Sequence, residues 1–275
     1  MEGDIEVLRL FYRLGVRMIQ LRRHDTTNSL VDAYAGEAKW SGISARGRAV
    51  IQEMNRLGII IDISHSSELA TRQVIQASQA PVVNSLVRLQ HFAKVIWKHQ
   101  YSLIDTLALR QGMIGLHSAG HIISQKAADW SAAQDRLKPR APKAKHAPEP
   151  FRPANREYGD YIAKLDEEMR LRWVYRWNYG RPWRELQREA SEAGAPLVTP
   201  EEWAEQIQYV VKRVGADHIG LGLGLMAGGN WLRDFDATRY PRLTEAMLAR
   251  GMAPDVVRKV LGENWLRLLD EARVR

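Results

Sequence analysis

Residues 45–63 constrain the fold more than any other part of the chain. They run ARGRAVIQEMNRL, then Gly58, then IIIDI. The first segment reads as a helix, Gly58 as the stop that a left-handed cap favours, and the β-branched run as a strand buried on both faces. A strand of that kind requires helices on either side of a parallel sheet.

The same order of helix, glycine stop and short apolar strand recurs along the sequence. Residues 5–14 place Leu8, Leu10, Phe11 and Leu14 on one helical stripe before Gly15, and residues 16–21 (VRMIQL) follow as a strand. Helices are expected at 68–78, 103–110 and 200–214, each leading to a strand: 81–84 (PVVN), 113–117 (MIGLH) and 218–223 (HIGLGL). Three more helices fall at 243–250, 255–261 and 264–272. This alternation predicts an α/β fold of parallel βαβ units. A (β/α)8 barrel needs eight strands in about 250 residues. The pattern supplies about five, because residues 128–198 form a polar, Trp-rich helical and loop insertion. The expectation is therefore one domain over residues 1–275, derived from a TIM barrel and incomplete at its N-terminal end. An open doubly wound sheet competes with it, although no Gly-rich phosphate turn follows the first strand.

Composition narrows the functional classes. The 275 residues include no cysteine, so disulfides and thiolate metal sites are excluded and a metal would need His, Asp or Glu. The net charge of +8 is concentrated in part at residues 136–146 (RLKPRAPKAKH), which prolines and like charges mark as a solvated loop without regular structure. No phosphate-binding loop, zinc-finger spacing or RNA-binding signature accompanies that charge, so nucleic acid is not the expected partner. Trp130, Trp173, Tyr175, Trp177, Tyr179 and Trp183, interleaved with Arg170, Arg172, Arg176 and Arg181, read as a lid packing on a barrel rim in preference to a base-stacking surface. No apolar run approaches the roughly 20 residues of a membrane span, and Met1 leads into charged residues instead of a signal segment. The expected compartment is the cytoplasm by default.

Five stretches together resemble the membrane (renal) dipeptidase family of zinc peptidases. They are LRLFYRLGVRMIQL (8–21), GISARGRAVIQEMNRLGIIIDISHSS (42–67), QASQAPVV (76–83), VGADHIGLG (214–222) and LGENWLRLLDE (261–271). The resemblance implies a metal-dependent hydrolase barrel of the amidohydrolase type and zinc-dependent hydrolysis of dipeptides or similar small molecules. In that chemistry two cations lower the pKa of a bound water and polarise the substrate carbonyl.

Carried over by position, the resemblance implies that His65 is a zinc-binding histidine and that the substrate-facing position falls at Arg23 or its neighbour His24. Leu86 stands where the family's second zinc-binding histidine belongs, and the family's aspartate-rich turn reads GLGLMA at 222–227. The family's bridging Glu and His-x-Asp pair fall before the matched region, Glu2 being too close to the first strand. His117 and His121, at the end of another strand, are further metal candidates that could gather at the same mouth. Asp62 is expected to point away from His65, and His218, which precedes its strand, to lie at the opposite end of the sheet. Three readings stay open: a zinc dipeptidase, an inactive relative that binds a ligand or partner, and a fragment of a longer protein. The changes at Leu86, Gly224 and Met226 lie inside the matched region, so truncation alone does not account for them. A five-stranded sheet also leaves edges to be covered by the N-terminal segment, by the Trp-rich insertion, or by a second copy in a homo-oligomer.

Overall fold

Asp4 accepts the N–H groups of Glu6 and Val7 at 2.8 and 3.2 Å and so opens α1 (Ile5–Arg13) in a computed structural model. The structure describes residues 3–22, 27–34, 37–89, 91–94, 104–137, 192, 194–222 and 240–273. After α1 come β1 (Met18–Gln20), α2 (Ala45–Leu57), β2 (Ile60–Asp62), α3 (Glu68–Ala77), β3 (Val82–Val87), α4 (Ile104–Leu109) and β4 (Met113–Leu116). Two helices follow, α5 (Gly120–Ile123) and α6 (Gln125–Leu137). The remaining elements are α7 (Pro200–Val214), a 3-10 turn (Ala216–His218), β5 (Ile219–Leu221), α8 (Tyr240–Ala249), α9 (Pro254–Arg258), a π-helical turn (Lys259–Glu263) and α10 (Asn264–Arg273).

The five described strands are parallel and lie in the order β1-β2-β3-β4-β5. An order without reversal is that of a barrel wall and not of a doubly wound sheet, which must reverse at a switch point. The expected unit is clearest at α2–β2. Ser44 caps α2, Gly58 ends it at φ 71°, and β2 is buried throughout. Ile59, Ile61 and Ile63 share one cluster with Val50, Ile51 and Met54, while Ile60 packs on the other side with Val83, Met113 and Leu268. Each such side chain contributes about 1.5–3 kcal/mol by leaving water.

Two expectations are corrected. Leu8 is fully buried, but Leu10, Phe11 and Leu14 are exposed, so they do not share its stripe. The face of α1 that meets the core is instead made by Ile5, Leu8 and Tyr12. Residues 136–146 do not begin as a loop, since α6 continues through Leu137. Residues 138–146 and the Trp- and Arg-rich group from Arg170 to Trp183 lie outside the described residues.

The two edges of the sheet differ. At β5 the buried Asn264 amide donates to the carbonyls of Ala216 and Ile219 at 2.7 and 2.8 Å, tying the start of that edge to α10. This contact comes from the C-terminal helices, and most of the Trp-rich insertion expected at an edge lies outside the described residues. At β1, Ile60 N–H donates to Arg17 O and Leu21 N–H to Asp62 O, so alternate residues face β2. Met18 and Gln20 turn their backbone groups the other way, where they meet no backbone partner among the described residues.

Candidate active site at the strand ends

The C-terminal ends of parallel strands gather the side chains that do chemistry in barrels. Here those ends carry Gln20 and Arg22 at β1, Asp62, Ser64 and His65 at β2, Ser85 and Leu86 in β3, and His117 after β4. Gln20 donates to Ser64 O at 3.0 Å, and the buried Arg22 donates through Nη1 to His65 O, also at 3.0 Å.

His65 holds φ 67°, a left-handed conformation uncommon outside glycine. Its carbonyl accepts both from Arg22 and from the Tyr34 N–H at 3.1 Å, and its ring stacks on Tyr34 with centroids 5.7 Å apart. These contacts over-determine a backbone geometry that would otherwise be costly, a pattern concentrated at functional sites. The loop that carries Tyr34 is itself fixed by Asp32. Burial pushes the Asp32 carboxyl up, but donation from the backbone N–H groups of Gly42, Lys39 and Trp40 wins and holds it below its usual range.

Asp62 is the centre of the polar network that sequence reasoning missed. Its carboxylate accepts the Ser64 N–H (2.9 Å) and hydroxyl (2.6 Å) and the Ser85 N–H (3.2 Å) and hydroxyl (2.5 Å). Ser64 Oγ also lies 3.0 Å from Asn84 Oδ1. The signal available was three polar residues, Asp62, Ser64 and Ser85, beside buried strand positions. Only the β2–β3 pairing shows that they meet.

Of the other candidates, only His117 and His218 have described side chains. His117 is buried, and its Nδ1 accepts the Ala119 N–H at 3.0 Å. An accepting Nδ1 leaves the neutral ring's proton on Nε2, so neither nitrogen offers a lone pair to a metal in this arrangement. His121 lies on α5, but its side chain is outside the described residues, as are Arg23, His24 and residues 223–239. His218 sits at the start of β5 with Nδ1 3.1 Å from Gly112 O, at the end of the sheet away from this mouth. Among the described residues no three His, Asp or Glu side chains form a metal-binding group.

The sequence pattern of the membrane dipeptidases, peptidase family M19, matches residues 1–274. The chain belongs to the membrane dipeptidase family. It is 28% identical over 267 residues to dipeptidase tcpJ of Claviceps purpurea, covering 96% of this chain and 47% of that one. It is 27% identical over 274 residues to dipeptidase aclJ of Aspergillus oryzae, covering 98% and 48%. The chain thus spans about half the length of the curated relatives it matches. Its fold resembles that of the probable dipeptidase PvdM of Pseudomonas aeruginosa (TM-score 0.69, 21% identity, 99% of this chain and 66% of that one). It also resembles that of a metallopeptidase of Rhodobacter sphaeroides liganded with a phosphinate mimic of L-Ala-D-Ala (TM-score 0.63, 20% identity, 98% and 60%). Membrane dipeptidases are metal-dependent hydrolases, and this chain is a membrane-dipeptidase-like protein with their barrel-type sheet. Among the described residues no helix is long and apolar enough to cross a membrane.

The residues described here do not fit a two-metal centre. Ser85 commits its hydroxyl to Asp62, the next side chain in β3 is an alkyl group, and the Nδ1 of His117 is engaged.

Proposed function

We propose that this chain is a dipeptidase-like barrel segment that keeps the frame of a dipeptide-binding mouth without the zinc pair needed to hydrolyse the peptide. The carrying observation is Leu86. It occupies the place that the family resemblance gives to the second zinc histidine, and leucine offers zinc no donor. His65 is the retained ligand in this reading, held by Arg22 and Tyr34, and His24 with Arg23 takes the substrate-facing position. With Leu86 in that place the second cation loses one of its imidazole ligands, so the water activation on which metal-assisted hydrolysis depends is impaired. What remains is a relative that binds a dipeptide or similar small molecule.

The test is incubation of the 275-residue chain with a panel of dipeptides and added zinc, scoring amino acid release. The expected result is a rate equal to buffer. Zinc-dependent release that disappears in His65→Ala would overturn the proposal and establish the chain as an enzyme.

A further inference from the structure

Trp40 is 43% exposed, and yet it is fixed at two points. Its backbone N–H donates to the Asp32 carboxylate at 3.0 Å, and its indole Nε1–H donates to Asn28 O at 2.7 Å. Both acceptors are themselves held. Asp32 also accepts the N–H groups of Lys39 and Gly42. Asn28 accepts the N–H groups of Leu30 and Val31 through Oδ1, and its amide donates to Leu21 O at 2.9 Å. The indole is thus tied, through Asn28, to the residue that follows β1 and precedes Arg22.

The loop that carries Trp40 is fastened to the strand ends that form the mouth. Tyr34 in this loop stacks on the His65 ring, Ala33 bridges to Ser66, and Arg22 donates to His65 O. On its other side the loop is fastened to α3 by Gln73, which accepts the Ile43 N–H and donates to Ser41 O. Leu69 lies one helical turn before Gln73 on that face of α3 and is 50% exposed. Trp40 and Leu69 belong to neither buried cluster. A tryptophan held rigidly with its ring left facing water offers apolar area to a partner at little conformational cost, which is how aromatic anchors work.

The neighbours of the ring select its occupant. The groups around His65 sit at the strand ends, where a peptide backbone would lie, and Trp40 stands outward of them on the rim. From that place an apolar ring meets a side chain of the ligand and not its backbone. We infer that Trp40, flanked by Leu69, is a side-chain subsite of the mouth, and that the ligand is a peptide carrying a large apolar or aromatic residue. This rests on the reading of the mouth as a dipeptide-binding site.

Isothermal titration calorimetry of the 275-residue chain with leucylphenylalanine and with glycylglycine tests it. Leucylphenylalanine should bind at least about tenfold tighter, as burial of an apolar side chain against the ring requires. Trp40→Ala should weaken leucylphenylalanine at least about tenfold and glycylglycine less than about threefold. Trp40→Gln keeps an N–H donor for Asn28 O while removing the ring, so it should lose the same preference, and it decides alone if Trp40→Ala fails to fold. Binding of neither peptide would overturn this inference together with the dipeptide-binding reading. Equal affinity for the two peptides, or a preference that survives loss of the ring, would overturn this inference and leave that reading standing.

Discussion

The hydroxyl of Ser85 in β3 donates to Oδ2 of Asp62 in β2 over 2.5 Å, across 23 positions of sequence. Together with the Ser64 contacts this bond ties the ends of two strands to one buried carboxylate. A hydrogen bond to a charged acceptor is worth about 1.5–3 kcal/mol, and stranding several buried donors costs more. Ser85→Ala is therefore expected to lower the unfolding free energy by about 1–2 kcal/mol, and Asp62→Ala by about 3 kcal/mol or more. Guanidinium denaturation measures both. Two losses smaller than about 0.5 kcal/mol would show that the network is incidental.

Glu53 gives a signed pH prediction. Hydrogen bonds from Arg56 and then from Arg9 hold its carboxyl down at about 2, against a usual 4.5. A depressed carboxyl stabilises the fold fully above its unfolded value, and that contribution is lost as pH falls from about 4.5 through about 2. The melting temperature of the parent should exceed that of Glu53→Gln at neutral pH, and the gap should close over that window. A gap that persists unchanged at about pH 2 would contradict the assignment.

Asn264 predicts a local effect. Removing its amide in Asn264→Ala strands the carbonyls of Ala216 and Ile219 and opens the β5 edge, at a cost of about 2–3 kcal/mol. Hydrogen exchange should speed up in β5 and the adjoining turn more than in β2. Equal acceleration everywhere would mean that the residue supports global packing and not the edge.

Gly58 closes α2 at φ 71°, a value that costs an L-residue about 1 kcal/mol. Gly58→Ala should destabilise by about that amount in urea unfolding, and Gly58→Asn by less. An unchanged midpoint in both would show that the turn adapts.

The elements legible in the sequence were those fixed by local chemistry. Gly58 and the isoleucine run specify α2 and β2 because cap, period and burial agree within nineteen residues. Thr199, Pro200 and Glu202 likewise fix the start of α7 through a capping box. Boundaries drifted where a residue's hydrogen bond goes elsewhere. The apolar run starts at Val16, but the N–H of Val16 closes the end of α1 on Phe11 O, so β1 begins later. Pro81 offers no N–H and is left out of β3, which instead runs on to Val87 through an irregularity after Asn84. The place of His65 just after β2 was legible, since its sequence frame is distinctive. The Asp62 network, the His117–Ala119 bond and the exposure of Leu10, Phe11 and Leu14 were not. Each depends on which elements become neighbours, which periodicity alone does not specify.

The most direct test of the central claim is the zinc content of the 275-residue chain after purification without chelators, measured by elemental mass spectrometry alongside His65→Ala. The account predicts zinc well below one ion per chain and no difference between the two proteins. One or more ions per parent chain, lost on replacing His65, would contradict it.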